Sequence, residues 1–122
     1  MLPKVRRLTK NGSFGYVYKH GSCVYGKNMT LIYVNNTNAS VRVGFSVNNK
    51  IGKAVVRNKV KRRMRAYTAT VADKLSGCQC VFVARIGIDR LSYRQISSEM
   101  EHLFKKAALL REENDEEEKK SN

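Results

Sequence analysis

Apolar and polar positions alternate most cleanly at Val41 to Val47, where Val41, Val43, Phe45 and Val47 are separated by Arg42, Gly44 and Ser46. A period of two predicts a strand with one buried face. Upstream, the β-branched and aromatic run Met29 to Val34 lies between Gly26–Asn28 and Asn35–Ser40 and predicts another strand. The intervening NNTN has hairpin-loop composition, so the pattern predicts antiparallel pairing of these two strands. Downstream of Gly77, the apolar run Cys80 to Ile86 has strand length.

Three other stretches carry a helical period. Phe14, Val17 and Tyr18 recur at i, i+3, i+4 after the turn and cap residues Asn11, Gly12 and Ser13, predicting a short helix that Gly21 ends. Between Lys53 and Val71, a step of about 100° per residue puts Val56, Val60, Met64, Tyr67 and Val71 on one arc and Arg57, Asn58, Lys61, Arg62 and Arg65 on another. Ser92 is a candidate cap for a long helix whose stripe is Ile96, Met100, Leu103, Phe104, Ala107 and Leu110. The order is αβββαβα or αββαβα, according to whether residues 22 to 27 add a strand piece; both are α+β. We expect one domain over residues 1 to 110, followed by the charged segment 111 to 122, which lacks apolar residues and is expected to be disordered.

Charge changes the picture. The 122 residues carry 24 Lys and Arg against 10 Asp and Glu, a net +14. Three bases and six acids fall after Leu110, so residues 1 to 110 hold 21 bases and four acids, a net +17. Such a field favours a polyanion: nucleic acid or an anionic membrane surface. No apolar run approaches the roughly 20 residues of a spanning helix, and the first residues lack a signal-peptide core, so a cytoplasmic protein is expected. Seven bases crowd Lys53 to Tyr67, and after Asn58 the next acid is Asp73. Solvated helix faces usually mix both signs and gain from i,i+4 pairs of acid and base. Here the counter-charges are absent from the sequence, as expected of a surface that phosphates complete.

Chemistry of the chain's own is poorly supported. Asp73, Asp89, Glu99 and Glu101 are the only acids before Arg111, whereas two-metal nucleases need clustered carboxylates or histidines. Cys78 and Cys80 are too close for the usual zinc spacing, and no metal site is expected. Gly52-Lys53 fails the Walker pattern, because Val47 stands where the earlier glycine is required and Ala54 where Ser or Thr is required. The residues therefore describe a binder, with Phe14, Tyr18 and Tyr33 as candidate stacking platforms for single-stranded bases.

The stretch RVGFSVNNKIGKAVVRNKVKRRMR, Arg42 to Arg65, resembles the signature of the bacterial ribonuclease P protein subunit. LTKNGSFGYVYKHG before it and VFVARIGIDRLSYRQISSEMEHLFKKA after it extend the resemblance over roughly residues 5 to 108. It implies a single αβββαβα domain like the second domain of ribosomal protein S5, with about four strands, a basic central helix and a left-handed βαβ crossover. It also implies a subunit that joins a catalytic RNA to remove the 5′ leader of precursor tRNA. The RNA would hold the Mg2+ ions and carry the hydrolysis. No cofactor is implied for the protein alone, and one protein per RNA, monomeric when free, is expected.

By the resemblance, Lys50, Lys53, Arg57, Asn58, Lys59, Lys61, Arg62 and Arg65 would bind the catalytic RNA. Phe14, Tyr18 and Tyr33, with Arg42 and Arg85, would line the leader cleft. One extra residue between Gly21 and the following strand leaves the third cleft position open: if it lies within the strand, Ile32 takes the place and Tyr33 faces away. Asn49 departs from the family's usual lysine. A structural RNA-binding protein of ribosomal type is the alternative; it shares the charge and size but not the Arg42 to Arg65 signature.

Overall fold

The computed structural model describes residues 11 to 35, 41 to 75 and 77 to 110, without the side chains of residues 11 to 14. The expected segment 111 to 122 and most of the NNTN loop lie outside the described residues. The order is α1 (Asn11–His20), β1 (Ser22–Tyr25), β2 (Met29–Asn35), β3 (Val41–Ser46), α2 (Ala54–Val71), β4 (Cys78–Ala84) and α3 (Tyr93–Lys106). Strand β1 supplies the extra piece between residues 22 and 27, which selects αβββαβα.

The four strands form one mixed sheet in the order β1-β2-β4-β3. This corrects the expected hairpin. Strands β2 and β3 are not neighbours; β4 lies between them, antiparallel to β2 and parallel to β3. The physical reason is burial: all but Gln79 and Val83 in β4 are buried, and a run with apolar residues on both faces fits the middle of a sheet. Helix α2 provides the crossover that parallel pairing of β3 and β4 requires.

Alternation assigns the two faces. Met29, Leu31, Val41, Val43, Cys78, Cys80, Phe82 and Ala84 join the main core with Val60, Met64 and Tyr67 of α2 and Ile96, Met100, Leu103 and Phe104 of α3. Phe82 meets Phe104 edge-on, ring centroids 5.1 Å apart, and stacks with Phe45 at 6.2 Å. On the opposite face Val17 of α1 is fully buried with Val81, against Ile32, Val34 and Val83. Both helical arcs read from the sequence dock, except that Val56, Val71 and Leu110 remain partly exposed and α3 ends at Lys106, short of the last stripe residues Ala107 and Leu110.

Local chemistry secures the third helix. Ser92 Oγ accepts from Gln95 N at 3.2 Å while Gln95 Oε1 accepts from Ser92 N at 2.9 Å, a reciprocal capping box. Glu99, one turn further on, reaches the β1–β2 turn. Its carboxylate accepts from the Asn28 backbone N–H at 2.7 Å and from Asn28 Nδ2 at 2.8 Å. Replacing Glu99 by alanine strands both donors and is expected to cost about 1.5–3 kcal/mol, the range for hydrogen bonds to a charged group. A denaturant midpoint equal to that of the parent would contradict this clamp.

Candidate nucleic-acid interface

Helix α2 begins at the end of a loop that the sheet holds in place. Ile51, buried at the end of the short 3-10 turn Asn49–Ile51, pins the loop, and Gly52 then passes so close to Val56 that an added Cβ would lie 3.0 Å from Val56 Cγ1. Arg57 Nε donates to the Gly52 carbonyl at 3.1 Å. That bond fixes the guanidinium stem and leaves its two terminal nitrogens available to a phosphate. Lys53 is the N-cap residue, with no side-chain cap and no acid in the first turn. The positive end of the helix therefore adds to Lys50, Lys53 and Arg57 instead of being offset, an arrangement that favours an anionic partner.

Along α2, Arg57, Lys61 and Arg65 form a half-buried row at the edge of the docked face, with exposed Asn58 and Arg62 on its crest. Exposed Lys59 stands apart, about 130° of arc from the middle of this stripe at 100° per residue. It lies on the flank of Arg63, whose Nη1 donates to the Leu91 carbonyl at 2.6 Å. Arg63 thus anchors α2 to the chain just before α3; the sequence does not single it out, because its role depends on a partner 28 positions away. Lys50, Lys53, Lys59, Lys61 and Arg62 have no carboxylate partner among the described residues.

The other face of the sheet forms a shallow cleft. Helix α1 lies over β2 and β4. Register sets three cross-strand rows on this face: Arg42, Gln79 and Val34; Gly44, Val81 and Ile32; Ser46, Val83 and Thr30. Val17 covers the apolar middle, while Arg42 is exposed at the β3 edge. At the far end Arg85 Nη2 donates to Thr30 Oγ1 at 3.1 Å, which turns its guanidinium onto the same face. Tyr18 is 45% exposed on α1. Phe14 belongs to the first half of that helix, and its side chain lies outside the description.

Tyr33 is a correction. It shares the parity of Met29 and Leu31 and packs on the main core beneath α2 and α3. Ile32 faces α1 instead. Helix α1 is held tightly over Ile32, since a Cβ at Gly21 would run into the Val17 carbonyl oxygen and lie 2.8 Å from Ile32 Cγ2. Gln79 and Ser46, also missed, join the same face; a strand taken to start at Cys80 leaves Gln79 outside the sheet, and its pairing with Arg42 on one side and Val34 on the other reveals it.

The remaining candidates for chemistry are structural. Cys78 and Cys80 are buried side by side on the core face, and the Cys80 thiol is raised well above its usual range, first by its hydrogen bond with Cys78 and then by burial. His20 packs on Tyr16, with ring centroids 4.7 Å apart. Among the described residues no three His, Cys, Asp or Glu side chains group to hold a metal ion, and no helix is long and apolar enough to cross a membrane.

A sequence profile described as Ribonuclease P matches residues 2–108. The chain belongs to the ribonuclease P protein family. The ribonuclease P protein component of Streptococcus pyogenes serotype M5 (strain Manfredo) is 31% identical over 118 residues, which cover 97% of this chain and 99% of that one. The RNase P protein of Staphylococcus aureus solved at 2.0 Å superposes with a TM-score of 0.82 at 30% identity, covering 88% of this chain and 100% of that one. The RNase P protein from Thermotoga maritima, at 24% identity and a TM-score of 0.75 over 82% of this chain and 96% of its own, shares the fold.

The placement of Ile32 instead of Tyr33 on the face under α1 has a measurable consequence. Ile32→Ala removes apolar floor and is expected to weaken binding of a short single-stranded RNA by about fivefold, the transfer energy of roughly one methylene, since α1 already covers the rest of the side chain. Tyr33→Phe is expected to leave it unchanged. Fluorescence anisotropy with a labelled oligoribonucleotide reads both; a loss on Tyr33→Phe with none on Ile32→Ala would reverse the assignment of faces.

Proposed function

We propose that the protein acts as the subunit of ribonuclease P that binds the catalytic RNA through the α2 stripe and the 5′ leader of precursor tRNA through the cleft under α1. The observation that carries this reading is the separation of the two surfaces. Arg57, Lys61, Arg62 and Arg65 stand on the helix that covers one face of the sheet. Arg42, Ile32 and Arg85, with Tyr18 above them, occupy the other face. A protein so divided holds two RNA segments at once, and the leader is then presented to the RNA's active site as an effectively intramolecular partner.

Each group has a role in binding and none in bond breaking. Arg57, with its stem fixed on Gly52, offers a two-pronged donor to phosphate. Lys50, Lys53 and Lys61 supply point charges, and Asn58 a neutral amide donor and acceptor at the centre of the stripe. Tyr18 and Phe14 offer ring faces on which unpaired bases stack, tolerant of sequence. Mg2+ bound by the RNA would supply the hydrolytic chemistry. The reading places the protein in the cytoplasm, one copy per RNA.

Reconstitution tests this directly. Adding the protein to a bacterial ribonuclease P RNA at low Mg2+ is expected to stimulate cleavage of precursor tRNA at the mature 5′ end; no stimulation would contradict the proposal. Arg62→Ala is expected to weaken RNA binding and to reduce the slope of log K against log salt by about 0.7 to 0.9 for the lost phosphate contact. An unchanged slope would remove Arg62 from the interface.

A further inference from the structure

Six of the ten acids in the chain fall between Glu112 and Glu118, a stretch without a single base. Of the four in the folded body, Glu99 is held by Asn28 and Glu101 faces Lys105 at 3.9 Å. Asp73 and Asp89 lie in the short 3-10 turns Ala72–Lys74 and Ile88–Arg90. The negative charge that the α2 row lacks is therefore concentrated in one segment, directly after Leu110.

The fold fixes where that segment starts and which way it leaves. Helix α3 ends at Lys106, and Ala108 then takes a φ of 58°, the one positive value at a non-glycine residue among the described residues. This place just past a helix is usually taken by glycine, and here it reverses the chain. Leu109 N–H donates back to the Phe104 carbonyl at 2.9 Å, and its side chain is buried. Leu110 then bridges Leu75 in the antiparallel sense. A chain leaving an antiparallel bridge runs opposite to its partner, so the exit after Leu110 is aimed back past Lys74 and Ala72 toward the last turn of α2. From Val71 to Arg57 the helix runs about 21 Å at 1.5 Å per residue, whereas residues 111 to 122, fully extended, reach roughly 40 Å.

We propose that the acidic segment Glu112 to Glu118 lies along Arg57, Lys61 and Arg62 of α2 in the free protein and is displaced when RNA binds. The proposal rests on the reading of α2 as an RNA-binding face. Carboxylates there stand in for phosphates and relieve the like-charge repulsion along the row. Each exposed ion pair is weak, but tethering gives the segment an effective concentration near the millimolar range. An RNA that places phosphates along the whole row displaces it; an anion that touches one or two bases does not. The segment thus sets a threshold against weak, unspecific RNA.

Paramagnetic broadening in the full chain tests the contact without RNA. A spin label on Glu116→Cys, in a Cys23→Ser background because Cys23 is the exposed cysteine, is expected to broaden the amide signals of residues 57 to 65 at low salt. The broadening is expected to vanish at about 1 M salt, where the screening length is about 3 Å, and on addition of an excess of an RNA hairpin. Replacing the six acids together by their amides is expected to tighten binding of that hairpin about three- to tenfold at low salt. Unbroadened α2 signals would overturn the proposal even with tighter RNA binding, because net charge alone gives that. Broadening centred on the Arg42 and Arg85 face, or broadening that RNA leaves in place, would overturn it too. A chain that stimulates precursor cleavage without this contact loses only this inference; one that shows the contact and its displacement but fails in reconstitution loses only the subunit role.

Discussion

The alternation of side chains along β4 is the constraint on which both proposed RNA surfaces depend. Cys78, Cys80, Phe82 and Ala84 point to the core under α2 and α3, while Val81 and Val83 point to α1. Because β4 is hydrogen-bonded on both edges, it sets the register of β2 and β3 together. A slip of one residue would exchange Phe82 for Val81 in the core and at the same time carry Arg42 or Ile32 out of the cleft. One strand thus sets both the core packing and the arrangement of the proposed surfaces, and Phe82 anchors it edge-on against Phe104, with centroids 5.1 Å apart.

Electrostatics then follows from packing. Val60, Met64 and Tyr67 commit one side of α2 to the core, and Arg63 ties the helix to the chain just before α3. What remains outward is a row of like charges whose mutual repulsion is not relieved by acids placed four residues away. Isolated, that row is unfavourable by a few tenths of a kcal/mol for each i,i+4 pair. Bound to phosphates, as proposed, it would become a source of affinity. In the proposed complex, phosphate contacts would offset this modest cost.

Much of this is legible in the sequence. The two arcs of α2, the alternation of Val41 to Val47, and the Ser92 cap with its Ile96-to-Phe104 stripe all follow from periods of 3.6 and 2 and from side-chain capping, which are local properties. Strand order is not local. The loop composition between β2 and β3 favoured a hairpin, yet the chain spans the width of β4, about 10 Å for two strand spacings, to leave room for it. The clue was the nearly unbroken apolar run of β4, which reads as a central strand. Tyr33 illustrates a finer limit: single-residue parity decides whether an aromatic is platform or core, and that parity is set by the packing of Met29 and Leu31 against the distant α2 and α3.

The central claim is that the two faces of one sheet hold two different RNA segments. Photo-crosslinkers placed singly at Arg62 on α2 and at Gln79 on the cleft floor, in the assembled complex with precursor tRNA, address it most directly. The account predicts that position 62 links to the catalytic RNA and position 79 to nucleotides of the leader. Crosslinks from both positions to the same RNA segment would contradict it.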